Sequence, residues 1–178
     1  MPMLIEHIQK LLNRITSTIS QPTIAVPGIA VTIREGNQPP RTLVSGVSSV
    51  QTNSPVTSEN LFEIGSTTKT YTATLILQLE QQQKIRVGNT LTNIINRCLP
   101  NKYVDQLKNL ITKFPFLGKI SIRQLLTHTS GLKEYETTKA YTDVWAFDRF
   151  YEWSMVELIS IAAAENQGQQ TFHYSDTN

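Results

Sequence analysis

"LFEIGSTTKTYTATLILQL", residues 61–79, decides how the rest of the chain is read. An extended apolar entry meets a long apolar stretch, and Ser66-Thr67-Thr68-Lys69 sits at the join. The apolar positions Tyr71, Ala73, Leu75, Ile76, Leu77 and Leu79 cover most sides of a helix predicted over residues 67–83. A helix apolar nearly all round is expected to be a core helix. Residues three apart share a helical face, with Cβ atoms roughly 5–6 Å apart. Ser66 and Lys69 are therefore expected as neighbours at the helix start. A serine hydroxyl is a weak nucleophile until a base takes its proton, and lysine is that base only when neutral. Burial, the positive end of the helix dipole and any nearby cation favour the neutral amine. Backbone N–H groups at the same helix start have no partner within the helix and suit an oxyanion.

The spacing alone is weak. Thirteen serines and nine lysines in the chain give roughly 0.7 Ser-x-x-Lys matches by chance. A second match, Ser130-Gly131-Leu132-Lys133, does occur, but Ser130 falls at a helix end with Gly inside the spacing. No regular turn is expected to hold that pair. Without further context, Ser66 also reads as an ordinary helix cap.

Outward from this join, the chain of 178 residues is the size of one domain or part of one. With 39% hydrophobic and 17% charged residues it can bury a core. A formal charge of +2, with scattered basic residues, gives no reason to expect nucleic acid as a partner. The single cysteine, Cys98, excludes an internal disulfide and reads as a structural thiol. Leu4, Ile8, Leu11, Leu12 and Ile15 mark an amphipathic first helix, and Glu6 and Lys10 interrupt any signal-peptide core. No apolar run is long enough to span a membrane as a helix.

Pro22 and Pro27 break the first helix. "GIAVTIREG" (28–36) and "RTLVSGVSSV" (41–50) read as two strands of a hairpin, and residues 51–60 as a polar link. A first part, residues 1–55, thus carries a helix and two strands, and residues 56–178 are mainly helical. "TLTNIINRCL" is a short helix ending near Pro100. "ISIRQLLTHTSGL" (120–132) opens with a Ser121–Gln124 capping box and is expected to close at Gly131. "YEWSMVELISIAAAE" (151–165) is a further helix, broken by Gly168. An isolated hairpin is marginal and leaves open edges. The expectation is therefore the N-terminal portion of a larger domain.

Three ordered blocks, "FEIGSTTKTYTATLILQLEQQQKI", "ISIRQLLTHTSGL" and "FHYSDTN", resemble the serine β-lactamase-related superfamily. The likeness is to the branch of class C β-lactamases, D-alanyl-D-alanine carboxypeptidases and related esterases, and it runs from about the first strand to the end of the chain. It implies an α+β fold, an antiparallel sheet flanked by helices plus a helical region. It also implies acylation of Ser66, with Lys69 assisting proton transfer. Tyr174 matches the tyrosine of the family's Tyr-x-Asn motif. Asp176 stands where Asn is usual in a substrate-binding position. A carboxylate cannot donate the amide's hydrogen bond, and it would raise the pKa of Lys69. The third motif, Lys-Thr-Gly or His-x-Gly on a strand, is absent from the sequence. The resemblance further implies a small-molecule or peptidoglycan-peptide substrate, no cofactor, and a periplasmic or secreted setting; the sequence itself leaves the cytoplasm open.

The remaining candidates read blandly. His128 is expected as a hydrogen-bonded structural residue. His7, His128 and His173 lack metal-ligand spacing, so no metal is expected. Glu63 stays unassigned. Trp145, Phe147, Phe150, Tyr151 and Trp153 read as an aromatic core or cleft wall, and Glu134, Glu136 and Asp143 as a solvated loop.

Overall fold

The computed structural model describes residues 2–17, 26–98, 100–165 and 171–178. The expectations for Pro22, for Gly168 and for the Cys98 side chain lie outside the described residues. The chain divides into two compact units, Met1–Glu63 and Ile64–Asn178.

In the first unit, helix α1 (Pro2–Thr16) packs on an antiparallel sheet of β1 (Gly28–Ile33), β2 (Arg41–Ser49) and β3 (Ser54–Pro55), in that order. The short β3 falls within the stretch expected as a polar link; it pairs with β2 across an irregular register between Val47 and Ser49. Two residues carry too little pattern to announce a strand. The inward stripe of α1 is Ile5, Ile8, Leu12, Ile15 and Thr16, while Leu4 and Leu11 point to solvent. Leu12, Leu43 and Val56 are the buried apolar residues among the described residues of this unit. The helix is also tied to β2 by polar bonds. Gln9 Nε2 donates to Val44 O at 3.0 Å, Ser45 Oγ donates to Asn13 Oδ1 at 2.8 Å, and the hydroxyls of Thr16 and Ser45 lie 2.8 Å apart. Gly46 makes this approach possible: its φ is +81°, and a Cβ there would lie 2.2 Å from Pro27 O and 2.9 Å from Thr16 Cγ2.

The second unit holds α2 (Thr68–Gln81), α3 (Leu91–Cys98), α4 (Asn101–Lys113), α5 (Ile122–Leu126), α6 (Lys139–Phe147) and α7 (Met155–Ala164). Its core is Leu110, Leu117, Ile120, Leu132 and Ala163, with Leu107, Phe114, Leu125 and Ile159 among the residues packed against it. Residues 86–91 and 120–123 are joined by backbone bonds, Leu91 N–H to Ile120 O at 2.9 Å and Arg123 N–H to Val87 O at 2.7 Å. Two helices, α4 and α6, were not anticipated from the sequence.

Three expectations need correction. α2 is not a core helix: it has no buried residue, and Tyr71, Leu75 and Leu77 are exposed. Only Lys69, Ala73, Ile76, Leu79 and Glu80 are half-buried, because they lie on the face turned to its described neighbours. The helix opened by Ser121 ends at Leu126 rather than Gly131. Its capping box forms as expected, but His128 takes a left-handed φ of +53°, which stops the helix. The aromatic group splits: Phe147 and Phe150 are 95% and 93% exposed and belong to no core. Trp145 lies under Arg149, while Tyr151, Trp153, Tyr141 and Tyr135 form a row of ring contacts 4.9–5.4 Å apart. Among the described residues no helix is long and apolar enough to cross a membrane.

Candidate active site

Gly65 has a φ of +50°, which turns the chain into a short 3-10 turn over Gly65–Thr67. Ser66 stands exposed in that turn, and α2 follows at once. Lys69 therefore sits in the first turn of α2, on the half-buried stripe.

The partners of both residues come from more than a hundred positions away. The Ser66 Oγ lies 2.5 Å from the Tyr174 hydroxyl. Tyr174 donates its one hydrogen to Asp176 Oδ1 at 2.9 Å. The Ser66 hydroxyl is thus the donor toward Tyr174. Lys69 Nζ donates to the same Asp176 oxygen in a close ion pair, with the two side chains 33% and 27% exposed. The ammonium also lies 5.1 Å from the centre of the Tyr174 ring. The Ser66 N–H has no acceptor among the described residues.

This network corrects the expected state of the lysine. Burial pulls the Lys69 pKa down, but hydrogen bonds to Asp176 and Tyr174 and the charge of Asp176 outweigh it and hold it above 10.5. Lys69 is a cation at neutral pH. The carboxyl of Asp176 is held below its ordinary value, first by the hydrogen bond from Lys69, then by that from Tyr174 and the lysine's charge, with burial opposing. The charge at position 176 raises the lysine, as its presence in the motif implied; the helix start does not offset it.

A second layer fixes the Tyr174–Asn178 segment. The Asp176 N–H donates to Glu134 Oε2 at 2.5 Å, so Glu134 is not a solvated loop residue. Thr177 Oγ1 donates to Lys133 O at 2.6 Å and accepts from the Tyr135 N–H at 3.2 Å. Ser130 Oγ donates to Asn178 Oδ1. His128 has the structural role expected of it. Its Nδ1 accepts from the Ser175 N–H at 3.2 Å, its carbonyl accepts from the His173 N–H at 2.9 Å, and its ring stacks on Tyr174 at 4.7 Å. Asp143 lies on α6 and pairs with Lys139, while Glu63 is exposed at the end of the other unit. Ser175, Glu134 and Thr177 were missed in the sequence. Fully buried Ser175 alone carried a signal, its place between two motif residues.

Carboxylate oxygens of Glu134, Glu136 and Asp176 come within 4.8 Å of one another. Those of Glu134 and Asp176 already accept internal donors, and Glu136 is exposed. The three form an acidic cluster in which Asp176 pairs with Lys69. Beneath the ion pair, a cavity of about 400 Å³ runs between α2 and the apolar side chains of Leu91, Ile94, Ile122 and Leu125.

Residues 9–178 match the Beta-lactamase family model. A β-lactamase of Providencia stuartii is 30% identical over 129 residues, 72% of this chain and 29% of that protein. A β-lactamase of Lysobacter lactamgenus is 32% identical over 72% of this chain and 30% of its own length. The chain thus spans under a third of the curated relatives it matches. Among solved structures, a D-amino acid amidase from Ochrobactrum anthropi SV3 aligns over 98% of this chain and 43% of its own, at 21% identity and a TM-score of 0.69. A penicillin-binding protein homologue from Pyrococcus abyssi covers 97% of this chain, and 36% of its own, at 20% identity and the same TM-score. These likenesses show an α+β fold shared with the penicillin-binding proteins. With two-thirds of the chain aligned to named β-lactamases and nearly all of it to the family model, this chain is a member of the β-lactamase family.

Proposed function

We propose that the protein is a serine acyl-transfer hydrolase whose nucleophile is Ser66. The observation that carries this reading is the continuous line of hydrogen bonds from Ser66 through Tyr174 to Asp176 and Lys69. Ser66 Oγ attacks the carbonyl carbon of an amide or ester and loses its proton toward Tyr174. The carbonyl oxygen becomes an oxyanion, for which the Ser66 N–H is a free donor. The leaving group departs with the returned proton, leaving an acyl-Ser66 ester. Water then attacks that ester and regenerates the hydroxyl.

Membership of the β-lactamase family, with curated relatives named β-lactamase and penicillin-binding protein 4, favours D-Ala-D-Ala peptides or β-lactams as substrates. Small esters are the alternative within the same chemistry. A fluorophosphonate or fluorescent penicillin is expected to tag the intact protein covalently, with Ser66→Ala abolishing the tag. Absence of any tag on the intact wild-type protein contradicts the reading.

A binding module without turnover is the second reading. It is favoured by the Lys69–Asp176 pair, which withdraws the lysine as a base. On that reading ligands bind reversibly and Ser66→Ala changes nothing.

A further inference from the structure

The proton route in this site runs away from Lys69. Tyr174 has a single hydrogen, and it points at Asp176 Oδ1. Its remaining lone pairs face Ser66, 2.5 Å away. The lysine, which the Ser-x-x-Lys spacing offers as the base, spends a hydrogen on the same Asp176 oxygen. An ammonium has no lone pair with which to accept a proton. An amide at position 176 could accept the same two hydrogen bonds, but only a carboxylate adds the charge that holds the lysine protonated.

We propose that Asp176 holds Lys69 as a cation, aims the Tyr174 hydroxyl and itself takes part in the proton transfer, so that the proton of Ser66 leaves through Tyr174 to Asp176. The inference rests on the acyl-enzyme reading above. In the step itself, the Ser66 O–H bond breaks as its oxygen bonds to the substrate carbonyl carbon, whose π electrons move onto oxygen. The serine proton passes to the Tyr174 oxygen, and the tyrosine proton passes to Asp176 Oδ1. One proton has moved from Ser66 to Asp176, and the negative charge now sits on the oxyanion. When the leaving group departs, the relay runs backward: Asp176 returns its proton to Tyr174, and Tyr174 gives one to the leaving atom. Lys69 stays charged throughout beside both acceptors.

The groups facing Asp176 fit this role. Lys69 comes from α2, Tyr174 from its own segment, and Glu134, Tyr135 and Glu136 from the turn after Lys133. His128, on the loop after α5, stacks on Tyr174. Glu134 reaches the Asp176 backbone N–H and fixes the residue in place.

The test is the pH dependence of Ser66 labelling by a fluorophosphonate, in the intact wild-type protein and in Asp176→Asn. With Lys69 a fixed cation, the wild-type rate is expected to vary less than about threefold from about pH 6.5 to 9. Asp176→Asn removes the counter-charge but keeps the shape. Its rate at neutral pH is expected to fall by about tenfold or more, and to climb with pH over the same range as the freed lysine loses its proton. A wild-type rate rising about tenfold per pH unit between about pH 7 and 9 would show that Lys69 must deprotonate, and overturns the proposal while leaving the acyl-enzyme intact. A variant matching wild type in rate and profile overturns it too. No labelling of the folded wild-type protein at any pH defeats both the proposal and the acyl-enzyme reading on which it rests. Circular dichroism of Asp176→Asn, with Asp176→Glu as a carboxylate that restores the flat profile, separates a lost charge from a lost fold.

Discussion

The chain carries the spacing Ser-x-x-Lys twice, and the two copies do opposite things. At 66–69 the serine stands exposed on a 3-10 turn, and its hydroxyl meets a tyrosine 108 positions away. At 130–133 the serine is 5% exposed, and Gly131 has a φ of +79°. Its hydroxyl donates to Asn178 and accepts from the Leu132 N–H at 3.1 Å. Lys69 meets Asp176, whereas Lys133 meets Glu165 at 2.5 Å. Both copies grip the same segment, Tyr174–Asn178: one through the groups that can move a proton, the other through the groups that hold the chain. The difference teaches that the tetrad spacing is permissive only. What each copy does is set by what the terminal segment brings to it.

The largest expected effect separates the copies outright. Ser66→Ala should reduce covalent labelling by about a thousandfold or more while leaving the melting temperature nearly unchanged, since Ser66 is exposed. Next comes Tyr174→Phe, which keeps the ring against His128 but removes the hydroxyl between Ser66 and Asp176. A loss of about 10²–10⁴ in labelling rate is expected, with stability largely retained. Equal labelling by Tyr174→Phe and wild type would break the claim that the two copies differ through this hydroxyl.

Ser130→Ala works the other way. It leaves the Leu132 N–H without an acceptor and the Asn178 amide without its donor, in a buried place. A cost of about 1–3 kcal/mol in unfolding free energy is expected, with weaker labelling as a consequence of a loosened Tyr174 segment. Denaturant unfolding measures the first and the labelling rate the second. Smaller still is the pH signature of the Lys69–Asp176 pair. The Asp176 carboxyl lies below its ordinary 3.8, so its stabilising contribution is present above that value and fades as the pH falls through the depressed one. Lys69 lies above 10.5, so its contribution is present below that and fades as the pH rises through the raised value. Asp176→Asn should remove both limbs, read as the difference between the two proteins' stability curves. Glu165→Gln, which frees Lys133, is expected to leave labelling unchanged and to shift the melting temperature less than Ser130→Ala does.

Local signals in the sequence carried well where a pattern is short-range. The strands at 28–33 and 41–49, the amphipathic first helix and the Ser121–Gln124 box follow from periodicity and capping. The Ser154–Glu157 box in "SMVE" is equally explicit, and it starts α7 at Met155, four residues after the Tyr151 that the apolar pattern suggests. α2 misled because an all-round apolar pattern states a demand for cover, not its supply. α6 was hidden by its charged residues, which sit as an exposed Lys139–Asp143 pair along one helix face. In the site, Ser66, Lys69, Tyr174 and Asp176 were each legible from ordered motifs, and the structure brings all four together. The charge state of Lys69 was not legible, because spacing reveals a neighbour in the same helix but not an ion partner from the far end of the chain. Glu134 was equally hidden: its bond is to a backbone N–H forty-two positions on, and no residue pattern records that.

The most direct measurement is to treat the intact protein with a fluorophosphonate and locate the adduct by tandem mass spectrometry. The account predicts modification at Ser66 with Ser130 untouched. An adduct on Ser130, or a folded protein that takes none, would contradict it.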